Sequence, residues 1–173
     1  VAEELQKRNK PLHFVNRLDQ DTSGLMLVAQ KPELHAPLAE ALEKGQKFYR
    51  ALLRSPWKQD KKELLWNWPL SDRAEGRKNP QGLSADRKTS ETRVQILSSN
   101  QYFTEIQAEL ITGRQHQIRK HAALAGHPIV GDGRYNEEKY NRNIECDYVL
   151  LIRAASDSAF EHPIAMCALH PHD

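Results

Sequence analysis

Glu91-Thr92-Arg93-Val94-Gln95-Ile96-Leu97-Ser98, turned by Ser98-Ser99-Asn100-Gln101 into Tyr102-Phe103-Thr104-Glu105-Ile106-Gln107-Ala108-Glu109-Leu110-Ile111, is the stretch whose reading decides the fold. Two strand-like arms around a short polar turn predict an antiparallel pair. On the second arm Tyr102, Ile106, Ala108 and Leu110 fall on one face. Thr112 follows and can cap a helix. Gln115, three residues on, completes a capping-box pattern. Ile118, Ala122 and Ala125 then form a buried stripe, and Gly126 ends the helix.

Working outward from this unit, residues 47–53 read as a strand, with Tyr49, Ala51 and Leu53 on one face. Residues 63–68 suggest another strand. Leu34, Leu38 and Leu42 recur every four residues, the signature of an amphipathic helix that starts near Pro37 and stops at Gly45. Nearer the N-terminus, 2–9 reads as a short helix, and 13–18 and 24–29 as strands around the polar stretch 19–23. The apolar run Gly24-Leu25-Met26-Leu27-Val28-Ala29 suits a strand buried on both faces. Residues 69–90 are rich in Arg and Lys, are broken by Pro and Gly, and are predicted to be a long, mobile, basic loop. Residues 133–147 look irregular, 148–154 a strand, and 158–164 a short one. Hairpins mixed with a few helices predict an α+β domain, a mixed, mainly antiparallel sheet with flanking helices, rather than a doubly wound parallel fold.

The bulk properties exclude several classes. At 173 residues the chain suits one domain with a real core. With 39% hydrophobic and 28% charged residues its composition is ordinary and globular, and a formal net charge of +2 is too small to specify a partner by itself. Two cysteines, Cys146 and Cys167, give neither a zinc ribbon nor a disulfide framework, so a reduced, cytoplasmic protein is expected. There is no apolar run long enough for a membrane span. Neither G-x-x-x-x-G-K-[ST] nor G-x-G-x-x-G occurs, so no nucleotide cofactor is expected.

Two stretches carry the chemistry. In Asn16-Arg17-Leu18-Asp19-Gln20-Asp21-Thr22-Ser23-Gly24, Asp19 has an ordinary reading as a turn residue. It also follows an arginine and precedes a buried strand, where a cation in a dry cleft favours the charged carboxylate and equips it as nucleophile or base. In Thr112-Gly113-Arg114-Gln115-His116-Gln117-Ile118-Arg119-Lys120-His121, the cations read either as a solvated helix face or as phosphate donors at a helix N-terminus. His116, His121 and His127 are five and six apart, which does not stack two imidazoles on one helical face. They are read as surface polar residues or RNA contacts, and no metal site is expected. Trp57, Trp66 and Trp68 are read as packing residues. Asp19 and Asp21 could also serve as the paired carboxylates of a sugar hydrolase.

Together these stretches resemble the RluA-type pseudouridine synthases. The pattern His-Arg-Leu-Asp-x-x-Thr-Ser-Gly resembles Asn16 to Gly24, with Asn16 in place of the histidine. Lys-x-Tyr-x-Ala resembles Lys47 to Ala51, Thr-Gly-Arg-x-His-Gln-Ile/Leu-Arg-x-His resembles Thr112 to His121, and Gly-His-Pro-Ile-x-Gly-Asp resembles Gly126 to Asp132. The resemblance implies an isomerase that converts a flipped uridine of ribosomal or transfer RNA to pseudouridine, without cofactor. It implies Asp19 as the catalytic aspartate, Tyr49 as the residue stacked on the base, and Arg119 as the partner that orients Asp19. Arg17, Arg114, Gln117 and Ile129 would contact substrate, with Ile129 lining the uracil pocket. The expected protein is a monomer acting on structured RNA, one catalytic domain over 1–173 that lacks the family's Asn-Lys-Pro-x-Gly strand segment and an S4-type domain. A non-catalytic RNA-binding module with the same fold is the alternative.

Overall fold

The hairpin pattern of 91–111 and the single buried face of 47–53 build one sheet. The computed structural model describes residues 12–19, 22 and 24–137, with the backbone of 151–155 and 167–169. Its strands in chain order are β1 (His13–Phe14), β2 (Gly24–Met26), β3 (Val28–Ala29), β4 (Gln46–Arg54), β5 (Glu63–Trp66), β6 (Thr92–Ser99), β7 (Phe103–Leu110), β8 (Leu151–Ala155) and β9 (Cys167–Leu169). The α-helices are α1 (His35–Lys44) and α2 (Gln117–Leu124). The main sheet has the order β5-β6-β7-β4-β8 with every neighbour antiparallel, so the α+β expectation holds.

Register puts the apolar residues in rows. Val94 faces Ala108, Ile96 faces Ile106, and Ile106 faces Ala51 across the next ladder. These side chains form one buried face, and Ile118 and Ala122 of α2, four residues apart, close over it with Trp66, Leu53 and Ile129. Each fully buried Leu, Ile or Val side chain contributes roughly 1.5–3 kcal/mol. A register shift between Ile96 and Ser98 leaves Leu97 partly exposed. Thr104 rather than Tyr102 continues the buried row of β7, and Tyr102 is 63% exposed.

The run 24–29 divides instead of forming one strand. β2 pairs with β9 and β3 pairs with β1, and only Gly24 and Ala29 are buried. Pro37 falls in the first turn of α1, where a missing N–H costs nothing. The helix expected over 2–9 and the strand expected over 158–164 lie outside the described residues.

The basic stretch 69–90 is ordered, contrary to expectation. Leu70 and Lys88 exchange backbone hydrogen bonds at 3.0 and 2.9 Å, closing the loop at its base. Within it a 3-10 turn runs over Ser84–Asp86. The Lys120 ammonium, fully buried, donates to the carbonyls of Ser71 (2.9 Å) and Arg73 (2.7 Å). Composition shows mobile-looking residues, but not the cation 30 or more positions away that holds them.

Candidate active site

Asp19 sits in a loop whose ends are tied. His13 and Phe14 pair with Ala29 and Val28, and Val15 N–H bonds the Leu27 carbonyl at 2.9 Å. Asn16 then acts as a piece of backbone: its Oδ1 accepts from Leu27 N–H (2.7 Å) and its Nδ2 donates to the Leu25 carbonyl (3.3 Å). The replacement of histidine by asparagine is thus a loop clamp. Thr22 N–H bonds the Asp19 carbonyl at 3.0 Å, which makes the turn that presents the Asp19 side chain.

The cation that meets it comes from α2. Arg119 Nη1 donates to Asp19 Oδ2 at 3.1 Å. The guanidinium is itself fixed from behind. Its Nε and Nη2 donate to Asp132 Oδ2 (2.8 Å) and Oδ1 (3.0 Å), a fork-to-fork pair, and its carbon lies 5.1 Å from the centre of the Tyr135 ring. Asp132 is fully buried and its Oδ1 also accepts the N–H groups of Arg134 (2.9 Å) and Tyr135 (3.0 Å). One carboxylate therefore shapes the turn after Gly131 and aims the arginine. Among the described residues no donor is bonded to Asp19 Oδ1, and Asp19 lines the cleft.

Two further side chains complete the wall. His116 Nε2 stands 3.8 Å from Asp19 Oδ2, and its Nδ1 shares a 2.9 Å hydrogen bond with the Tyr135 hydroxyl. Its backbone is left-handed, at φ 55°, a region that few residues other than glycine enter and in which His, like Asn and Asp, is enriched. Burial holds the imidazole below its ordinary pKa, against the pull of the Asp19 charge. Tyr49 rises from the edge of the core on β4. Burial, helped by the Asp19 charge, pushes its phenol up to about 12, so it stays protonated at neutral pH. Burial likewise raises the Tyr135 phenol.

Asp19, Arg119, Tyr49, Arg17 and Arg114 all line one cleft of about 1090 Å³. A second cleft of about 980 Å³, walled by residues 74–79, meets it at Arg17, Asp19, His116 and Arg119. Arg17 is exposed, whereas Arg114 is held at the rim by the Thr89 carbonyl (3.3 Å) and Asp72 (3.6 Å).

Of two expected substrate contacts, Gln117 lines the first cleft and Ile129 does not. Gln117 is 2% exposed and its amide is fully spent: Oε1 accepts from Thr112 Oγ1 and Arg114 N–H, and Nε2 donates to the Glu91 carbonyl and Thr92 Oγ1. It braces the approach to α2 and has no group left for a ligand. Ile129 is 1% exposed, bridges Leu53, and belongs to the core rather than to either cleft.

The helix also begins later than its cap pattern predicts. Gln117 is its first residue: neither half of the capping box forms, because the Thr112 N–H bonds the Glu91 carbonyl at 3.3 Å and the Thr112 hydroxyl is spent on Gln117 and on the Glu91 N–H. Arg119, Lys120 and His121 are buried, not a solvated face. His121 Nε2 lies 3.0 Å from the Trp68 carbonyl, which can only accept, so that nitrogen carries the proton and Nδ1 takes the Thr92 hydroxyl at 2.9 Å. Burial brings this histidine down to about 4. His127 is half-buried, its Nδ1 3.2 Å from the Arg54 carbonyl and its ring 4.9 Å from Trp57. Asp132 and Tyr135 do not stand out in the sequence as site residues, and His116 is read there as a surface residue or RNA contact, not as a neighbour of Asp19. The aspartate closing Gly126 to Asp132 is a signal for the first, but its partner thirteen residues away is not visible there.

An anion-pairing arginine, a presented carboxylate and a protonated tyrosine at one cleft suit acid–base or covalent chemistry on a polar, ring-bearing substrate. Residues 2–124 match the family model for RNA pseudouridylate synthases, and the chain belongs to that family. It is 40% identical over 167 residues to the ribosomal large subunit pseudouridine synthase C of Vibrio parahaemolyticus, an alignment covering 92% of this chain and 50% of the relative. The protein of the same name from Escherichia coli strain K12 is 40% identical over 139 residues, covering 77% of this chain and 42% of its own. The chain thus spans about half the length of the curated relatives it matches. Among solved structures, human RNA pseudouridylate synthase domain containing 1 superposes with a TM-score of 0.73 at 22% identity, over 97% of this chain and 72% of that one. Human RNA pseudouridylate synthase domain containing 4 gives 0.64 at 24%, over 80% and 57%. These structures share the fold. Among the described residues no helix is long and apolar enough to cross a membrane.

Proposed function

We propose that this protein isomerises a uridine of structured RNA to pseudouridine, with Asp19 initiating the exchange. The names of its relatives favour large-subunit ribosomal RNA as the substrate over transfer RNA. The observation that carries the reading is the Asp19–Arg119 contact at 3.1 Å, with Tyr49 and Arg17 on the same cleft.

The reaction breaks N1–C1′ and makes C5–C1′; C5 loses a proton and N1 gains one. Substrate and product are isomers, so no co-reactant is consumed. Uracil stacked in an RNA helix hides these atoms, and the nucleotide has to be everted into the cleft. Asp19 Oδ1 then attacks C1′ or assists loss of a ribose proton, while Arg119 holds Oδ2. Arg119 cannot turn away, because Asp132 grips it in two places. Tyr49 stacks on the base, worth about 1–3 kcal/mol per base on other aromatic platforms. Arg17 and Arg114 meet RNA at the mouth. Gln117 and Ile129 act through the positions they give Arg114 and the core. We take the enzyme to work as a cytoplasmic monomer without cofactor.

The test is a strain lacking the gene, complemented with wild type or Asp19→Asn, followed by pseudouridine mapping of its RNA. One or more sites should vanish with the gene, return with wild type and stay absent with the variant. A map unaffected by the gene's loss would leave a non-catalytic RNA-binding module as the better reading.

A further inference from the structure

The second cleft has a basic wall with no part in the chemistry above, and the chain holds that wall with an unusual device. Residues 74–79 line the same cleft as Asp19 and His116. Arg119 is held by Asp19 and Asp132, which leaves four cations, Arg17, Arg77, Lys78 and Arg134, against one carboxylate, Glu75, around it. Arg77 and Lys78 are exposed and, among the described residues, in no ion pair. The imbalance therefore belongs to the surface and draws an anion toward the mouth of the site.

This wall is held at two points. Lys120 carries a fully buried ammonium bonded to the carbonyls of Ser71 and Arg73, facing Glu75 and Asp72. Burying an ammonium is costly, and two carbonyls only partly offset it. Arg134 Nη1 meanwhile donates to the Ala74 carbonyl at 3.1 Å. Both anchors run straight to the catalytic pair. Lys120 adjoins Arg119, and the Arg134 N–H shares Asp132 Oδ1 with Arg119 Nη2. Gly82 completes the fold of the loop: its φ is +79°, and a Cβ there would stand 2.5 Å from Glu75 Oε1 and 2.6 Å from Ser71 Oγ. A wall fixed this firmly at the level of Asp19 suits a ligand group of fixed distance from the everted nucleotide.

We propose that residues 74–79 take the RNA backbone phosphates beside the target nucleotide through Arg77 and Lys78, and that Lys120 is the positioning residue that holds this wall in register with Asp19. This rests on the RNA reading above. It assigns affinity and placement to the wall, and the chemistry remains with Asp19.

The experiment is RNA affinity against salt, using a large-subunit ribosomal RNA transcript as the probe, for wild type, Arg77→Gln/Lys78→Gln and Lys120→Met. Removing one cation–phosphate pair lowers the slope of log affinity against log salt by about one. The double variant should lower it by about two, with kcat held and KM raised. Lys120→Met keeps Arg77 and Lys78 but frees the wall, and should show the same direction of change in slope and KM with kcat near wild type. A purely structural lysine would lower thermal stability without moving the slope, and that result would overturn its role. A wild-type slope in the double variant, whose two residues are exposed and carry no folding burden, would overturn the wall assignment even if Lys120→Met failed to fold. The two readings fail separately: wild type that binds but makes no pseudouridine fails the catalytic proposal, and the slopes still decide the wall.

Discussion

Asp132→Asn is the substitution on which the geometry has most to say. The carboxylate is fully buried, and among the described residues its oxygens accept from Arg119 Nη2, Arg134 N–H and Tyr135 N–H on Oδ1 and from Arg119 Nε on Oδ2. An amide keeps one oxygen. Its best orientation leaves that oxygen at the Oδ1 position and turns an N–H toward Arg119 Nε–H. One charge-assisted hydrogen bond disappears, about 1.5–3 kcal/mol, and a donor is left facing a donor. Removing one member of a buried ion pair costs about 3–5 kcal/mol, and Arg119 retains Asp19, which places this case near about 3 kcal/mol. For a chain of this size that is a fall in Tm of roughly 6–12 °C. The guanidinium also loses its aim, and a displacement of about 1 Å at a reacting group can cost about 100-fold in rate. Thermal melting and single-turnover pseudouridine formation measure the two effects, with RNA affinity unchanged because Asp132 is out of reach of a ligand. A variant that melts like wild type and keeps its rate would refute the claim that Asp132 sets Arg119.

Three other outcomes follow from the same coordinates. His121 is held down to about 4 by burial, so the unfolded chain binds its proton first as pH falls; stability should fall from about pH 6.5 toward 4, by on the order of 3 kcal/mol from this group, and urea titrations should show a flatter acid limb in His121→Gln. Tyr49→Ala should weaken binding of the target nucleotide by about 1–3 kcal/mol while Tyr49→Phe retains most of it, as read by KM on a short RNA substrate. Gly82→Ala forces a side chain into Glu75 and Ser71 at a positive φ and should destabilise the fold by about 1–3 kcal/mol in urea, with faster hydrogen exchange in 71–82.

The sheet was legible because its information is local. In 92–99 and 103–110 burial alternates with the pleat, and in 46–54 Ala51 and Leu53 mark the buried side without help from elsewhere. That Asp19, Tyr49 and Arg119 meet at one cleft agrees with the motifs that hold them. The errors lie where long-range partners decide. Arg119, Lys120 and His121 look like a solvated face, but Asp132, two loop carbonyls and the Trp68 carbonyl receive them inside. The same lysine turns a loop of mobile composition into an ordered wall. Gln115 had the right spacing for a cap, yet the Thr112 N–H it would receive goes to the Glu91 carbonyl instead. Ile129 carries no local mark that separates core from pocket lining, and Gln117 none that separates a brace from a ligand contact.

The most direct measurement is single-turnover conversion of a large-subunit ribosomal RNA transcript by purified wild type and Asp19→Asn, with RNA affinity measured on the same samples. Product from wild type, none from the variant, and equal affinity are expected, because the substitution removes the reacting oxygen's charge and leaves the phosphate contacts in place. A variant that still forms pseudouridine at a rate near wild type would contradict the assignment of Asp19, whatever its distance from Arg119.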